Sequence, residues 1–407
     1  MTSTFDVNFP KIRNIDATPV THRGQSFLML RDPLHLQEES ILLPMQLAPL
    51  LAMCDGTMGV GELSIALEVS YGIVFTTSEI EDIISAFDKH LLLETAEIAD
   101  AEREALQRYR EAEHRPASLA GLSYPSDPQE LSESLDGYLV NVEHHPQIPG
   151  IMGLISPHID YDRGHRVYAE IWKTAEQAVE SADLAIILGT DHYSEDNRFS
   201  LTHQNYATPY GMLPTPRDIV DQMSENIGVE HAFRGELYHL NEHSIELAMV
   251  WLHHMREGKQ IDILPILCGS IADFHESDTV IEDDPQIEAF IASLTELVTS
   301  RQAILIAAAD LAHVGPAFGG FPLDQEGRSK LRFEDERLIN TICGCDARGY
   351  YNEIASQNNK NNICGFAPIY YTLRALSLAT GTVVSYDICD ADEQGTSVVS
   401  ICGVVFS

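Results

Sequence analysis

Basic residues are scarce in this chain: 25 Lys and Arg stand against 62 Asp and Glu in 407 residues, a formal net charge of −37. Such a field repels phosphate backbones and anionic headgroups alike, which argues against nucleic acid and membrane surfaces as partners. An apolar run of the roughly 18 residues that cross a bilayer is also missing. The nearest approach, residues 42–54, is broken by Pro44, Gln46 and Pro49. The first dozen residues lack the basic-then-apolar order of a secretory signal, so a soluble, cytoplasmic protein is expected. The seven cysteines are odd in number and too sparse for a disulfide framework in a chain this long, and they read as thiols.

What is present suits a globular protein of two or three domains: 44% hydrophobic and 21% charged residues supply enough apolar mass for a sizeable core. Residues 9–95 read as short strands (25–30) followed by helices (60–69 and 77–90), with Ile80, Ile83, Ile84 and Phe87 at helical spacing and a helix start at Thr77. The pattern suggests a small winged helix. A DNA-binding role is disfavoured, because residues 1–115 carry 9 basic against 19 acidic side chains, a net of −10. Residues 101–116 alternate Glu with Arg, as expected of a solvated linker helix without chemistry of its own. The expected boundaries are therefore 1–115 and 116–407.

The larger domain alternates strand and helix. Short β-branched runs at 151–155, 184–188, 261–267, 303–308, 383–388 and 398–406 are strand candidates, and 166–181, 243–255, 286–300, 330–342 and 367–379 are helical. The expected class is α/β, a mostly parallel central sheet flanked by helices, with antiparallel strands at its end.

Polar clusters follow the strands. Ser156-Pro157-His158 follows the first, Gly189-Thr190-Asp191-His192 the second, and Asp310-Leu311-Ala312-His313 the one at 303–308. Open α/β sheets bind ligands outside the carboxyl ends of their strands, so these side chains can meet over one crevice. Asn241-Glu242-His243 stands at a helix start, where carboxylates and anions are favoured. Any one such histidine alone would be a hydrogen-bonded loop residue; four clusters at matched positions point to a metal. Imidazoles bind Fe, Zn and Cu, with Asp191 or Glu242 available to fix their tautomers. For a third ligand, Cys364 precedes a helix whose N-terminus favours the thiolate, while the Cys343/Cys345 pair is a rival without common zinc spacing.

The segments "ISPHIDYDRGHRVYA", "ILGTDHY", "ATPYGMLPTPRD", "NEHSIEL", "AADLAHVG" and "NNICGFAPI", in this order over 121–407, resemble the MEMO family, also called AmmeMemoRadiSam system protein B. The resemblance implies a fold like the LigB-type class III extradiol dioxygenases, with metal ligands at His158, His192 and Cys364 and with His243, Asp310 and His313 lining the same cavity. It implies Fe(II) as the first expectation, with Cu or Zn as alternatives. A cysteine stands where extradiol dioxygenases place a carboxylate, so either a redox or oxygenase-type enzyme or a non-catalytic metal-binding scaffold or peptide-binding adaptor fits. Family members often sit beside AMMECR1-like and radical-SAM proteins, which suggests a peptide or protein modification pathway. The N-terminal segment, with "LLAMCDGTMGVGEL" and "FDKHLLLET", resembles PqqD-like peptide-recognition domains.

Overall fold

Local signals in the sequence account for most element boundaries in the computed structural model, which describes residues 9–34, 36, 40–140, 142, 148–194, 197–272, 274 and 280–407. The chain divides into two units, Met1–Glu111 and Ala112–Ser407.

In the first unit, β1 (Asp16–His22), β2 (Gln25–Arg31) and β3 (Ile41–Pro44) form an antiparallel sheet in that order. Arg23 and Gly24 both take positive φ, the conformation a two-residue hairpin turn demands. Four helices follow: α1 (Ala48–Met53), α2 (Val60–Tyr71), α3 (Thr77–Lys89) and α4 (Ala96–Glu111). The cap of α3 is Thr76, one residue before the expected start. Its hydroxyl accepts from the Glu79 amide at 3.2 Å while the Glu79 carboxylate accepts from the Thr76 amide at 2.8 Å. Leu30, Leu50, Leu63, Leu67, Ile80 and Ile84 form the buried core. The expected solvated linker needs correction. Helix α4 starts at Ala96 and buries Ile98, Ala105 and Tyr109 along one face, with Glu102 half-buried beside them, while Arg103, Glu104, Arg108 and Arg110 stay exposed.

The second unit is α/β. Its strands are β4 (Gly153–Ser156), β5 (Leu184–Thr190), β6 (Phe199–Leu201), β9 (Asp262–Cys268), β10 (Ala303–Ala308), β11 (His313–Val314), β12 (Gly381–Asp390) and β13 (Val398–Phe406), with β7 (Tyr206–Thr208) and β8 (Gly211–Leu213) as a separate hairpin. The sheet order is β11-β13-β4-β10-β5-β9-β6, with β12 also paired to β13. β4, β10, β5 and β9 are parallel, whereas β6, β11, β12 and β13 pair antiparallel with their neighbours.

Because strand side chains alternate faces, the sheet has two cores. Leu184, Ile186 and Leu188 of β5 pack with α7 (Arg217–Ile227), α10 (Pro285–Ser300), α11 (Gln325–Cys343), α12 (Ala347–Ala355) and α13 (Phe366–Ala375). Ala185 and Ile187 pack on the other face with α5 (Pro128–Leu139), α6 (Tyr161–Ser181) and α9 (His243–Met255); α8 (Val229–Ala232) is a single turn after α7. Helix α6 starts five residues earlier than its expected beginning at Arg166, because Asp160 caps it by accepting from the Arg163 amide at 3.1 Å. Among the described residues no helix is long and apolar enough to cross a membrane.

Candidate metal centre

The sheet order places β10 between β4 and β5, so the segments leaving the carboxyl ends of three adjacent parallel strands come together. His158 follows β4, His192 follows β5, and Asp310 and His313 follow β10. Cys364 arrives from elsewhere, in the turn before α13. Thr190 Oγ1 donates to its carbonyl at 3.2 Å, and the Gly365 amide donates to the Asp310 carbonyl at 3.0 Å. A Cβ at position 365 would stand 2.5 Å from that carbonyl oxygen, so glycine is what lets the cysteine turn close against the end of β10.

The donor atoms of His158, His192 and Cys364 lie within 4.8 Å of one another. His158 Nδ1 is 2.9 Å from the Ala308 carbonyl. A carbonyl only accepts, so Nδ1 carries a proton, and the other ring nitrogen, Nε2, faces Cys364 Sγ at 3.2 Å. The His158 amide donates to Asp310 Oδ1 at 2.8 Å. His192 is held by Glu242, whose two carboxylate oxygens each lie 3.1 Å from its Nδ1, which again frees Nε2.

Glu242 is buried at the N-cap of α9 and accepts from the Ser244 amide at 2.9 Å and from the His192 amide at 3.1 Å. His243 Nδ1 lies 3.1 Å from its Oε1, and the His192 and His243 rings stack with centroids 4.8 Å apart. His192, Glu242 and His243 thus make a second close group, in which one carboxylate serves two imidazoles through their Nδ1 atoms.

Electrostatics follow from this crowding. Burial disfavours a cation at His158, but Cys364 and Asp310 more than reverse it and raise its pKa to about 9. Burial likewise opposes ionisation of Cys364, and His158 and His313 overcome it, holding the thiol well below its usual range. Glu242, also penalised by burial, is kept well below the carboxylate range by His192 and His243. Without a metal, the site favours a thiolate facing protonated His158 and His192.

Above it opens a cavity of about 460 Å³ lined by His158, His192, His243, Asp310 and His313, with Leu247, Phe318 and Val399 as apolar wall. All six side chains singled out in the sequence meet at this place. Two other readings do not hold. Asp191 orients no imidazole: its Oδ1 accepts from the Tyr193 and Ser194 amides, each at 3.0 Å, and turns the loop. Cys343 and Cys345 lie at the end of α11, in neither close group found among the described residues.

Comparison with known proteins points to one family. The Memo-like protein family matches residues 115–405. The chain belongs to the Memo-like family. A MEMO1 family protein of Aquifex aeolicus is 24% identical over 401 residues, 98% of this chain and 99% of the relative. MEMO1 family proteins of Methanosarcina acetivorans (26% over 263 residues) and Methanocaldococcus jannaschii (25% over 272) cover 65% and 64% of this chain and 86% of their own lengths. The alignment with the Aquifex relative therefore takes in the N-terminal unit as well.

The Memo-like match begins at Arg115, a residue that the charge pattern alone places on a solvated linker. In the structure Arg115 is fully buried. Its Nη1 pairs with the Glu246 carboxylate, and its Nε and Nη2 donate to the His239 and Glu242 carbonyls, each at 2.9 Å. The available signal was Glu246, a charged residue inside an otherwise apolar α9 that requires a buried partner.

Proposed function

We propose that this Memo-like protein binds one mononuclear transition metal through His158 Nε2, His192 Nε2 and Cys364 Sγ, and that the centre performs redox or oxygenase-type chemistry on a peptide or protein substrate. One observation carries the reading: two imidazoles with their Nδ1 atoms committed to acceptors turn Nε2 toward a cysteine held in its thiolate range, under an open cavity. Two nitrogens and a thiolate suit iron, copper or zinc and not magnesium or calcium, which require oxygen ligands. Iron(II) is the first expectation, since the set differs from the two-His, one-carboxylate arrangement of oxygen-activating iron only in its anionic third ligand, and copper and zinc are the alternatives a thiolate accommodates. When bound, such a metal supplies Lewis acidity and, for iron or copper, one-electron redox capacity.

The chain's own side chains do the rest. Ala308 and Glu242 hold the two imidazoles in the ligating tautomer. His243, facing the cavity with Nδ1 on Glu242, relays a proton to or from bound substrate. His313, edge-on to Phe318 with ring centroids 5.1 Å apart, offers a hydrogen bond across the cavity. The sequence places a peptide-accepting edge at residues 25–30, but β2 there is paired on both sides; for the N-terminal unit we therefore propose that an extended peptide adds to the outer edge of β1, which pairs with β2 along its other edge. The strand contains Pro19, a residue that sheets accept at an edge.

The test is elemental analysis of metal-stripped protein reloaded with Fe(II), Cu(I) or Zn(II), beside His158→Ala, His192→Ala and Cys364→Ala. One metal per chain in the wild type and loss in all three variants is expected. Unchanged stoichiometry in the three variants would end the reading. Oxygen uptake on adding peptides to the Fe(II) form separates an enzyme from a non-catalytic metal-binding scaffold.

A further inference from the structure

We infer that Arg115 is a positioning residue for the metal centre: it fixes the turn that carries Glu242, and through Glu242 the orientation of His192 and His243. The inference rests on the metal-binding reading above and extends it to a side chain that does not reach the cavity.

The argument starts from donor counting. A guanidinium has five N–H donors in a rigid fork, and each finds an acceptor here. Nε donates to the His239 carbonyl (2.9 Å), Nη1 to the Pro116 carbonyl (2.7 Å) and the Glu246 carboxylate, and Nη2 to Ser118 Oγ (3.0 Å) and the Glu242 carbonyl (2.9 Å). Two of the five go to main-chain carbonyls of the turn entering α9. Glu242 is thereby held at its backbone oxygen by Arg115 and at its carboxylate by the Ser244 amide. The carboxylate's remaining capacity then points at the two Nδ1 atoms, of His192 and His243.

The other half of the knot works on the cavity wall. Glu246 accepts from the Leu119 amide (2.9 Å), the Ser118 amide (3.1 Å), Ser118 Oγ (3.0 Å) and the Tyr124 hydroxyl, and Leu119 and Ser123 line the cavity. A buried ion pair is a poor way to gain stability alone, since apolar residues of the same volume do as well or better. Here the pair spends its directionality on the N-cap turn and on one wall of the site, as a positioning role requires. Lysine carries the same charge but cannot reach both carbonyls and the carboxylate at once.

The test uses the full chain with Arg115→Lys, which keeps the charge, and Glu246→Gln, which keeps the shape. Two readouts are taken. One is the imidazole ¹⁵N shifts of the metal-free protein. The other is Co(II) affinity by chelator competition. Both variants should move the His192 and His243 signals and leave those of the exposed His22 and His90 in place. Co(II) affinity should fall roughly 10-fold, the usual cost of losing a group that orients a ligand. In a Glu242→Gln background the added Arg115→Lys change should cost under about 2-fold, because the path is already cut. Unmoved His192 and His243 signals in a folded variant, or an equal penalty in both backgrounds, would overturn the inference. If the wild type takes up no Co(II), the metal reading fails, while the ¹⁵N shifts still decide the role of Arg115.

Discussion

Replacing Glu242 by glutamine tests how much of the proposed metal affinity comes from outside the ligand set. The carboxylate takes four hydrogen bonds: from Nδ1 and the amide of His192, from His243 Nδ1 and from the Ser244 amide. Glutamine retains one acceptor oxygen and brings an NH₂ that must face one of these donors. The clash is relieved if His192 shifts its proton to Nε2, which removes the lone pair from the side facing Cys364. Groups that hold a ligating histidine are worth about 10–100-fold in affinity, or about 1.4–2.7 kcal/mol. The forced tautomer change argues for the upper end, about 100-fold. The assay is Co(II) competition against a chelator at fixed pH and salt, with a urea unfolding midpoint measured in parallel to show that the variant is folded. Affinity within about 2-fold of wild type would refute the reasoning. Loss as complete as in His192→Ala would make Glu242 a ligand itself.

Asp310→Asn should weaken metal binding by about 10-fold, the low end of that range, because its Oδ1 can still accept from the His158 amide and only the charge is lost. Gly365→Ala should leave the fold intact but lower affinity by more than about 10-fold and weaken the sulfur-to-cobalt absorption band, since a methyl 2.5 Å from the Asp310 carbonyl displaces the Cys364 turn. A fourth expectation concerns pH. Burial pushes Asp335 up to about 6, against the lowering effect of its Tyr386 and Ser400 hydrogen bonds. The folded state then holds this proton more tightly than the unfolded state does, so stability falls as pH rises from about 4 to 6 and stays reduced above. Asp335→Asn should flatten that part of the stability curve and raise the urea midpoint at pH 7; an unchanged slope between pH 4 and 6 would exclude Asp335 as its source.

Sequence legibility followed the physics of each element. β10, α9 and β13 lie where their apolar runs place them, because buried strands and a helix cap leave strong local marks. His158, His192, Asp310 and His313 could be found since each follows such a strand directly. Cys364 was harder, because only the fold brings its turn to the end of β10. Arg115 was misread because its environment in sequence, a run of Glu and Arg, differs wholly from its environment in space. In α4 the same charge run hid a stripe of Ile98, Ala105 and Tyr109. The short β6, β7 and β8 carry too few residues for any periodicity to show.

Strand β13 sets a schedule for the molecule's assembly. All nine of its residues are buried, and it joins β4 to β11 and β12. Its Ser400 also clamps the segment after β10: the Leu311 amide donates to the Ser400 carbonyl at 2.8 Å, and the Ala312 amide to Ser400 Oγ at 3.0 Å. The loop from Asp310 to His313 is therefore secured only once residues near 400 have been synthesised and docked. A ribosome-bound chain that has already produced His158 and His192 must keep both waiting for Cys364, more than 150 residues downstream, where such long-range closure is slow. During that interval the nascent protein exposes a bare strand edge on β4 and two imidazoles without their thiolate, and a metal encountered then finds an incomplete nest. If the proposed metal centre is correct, its three ligands come together only in the finished chain, and metal supply after release would then decide how much of the protein is occupied.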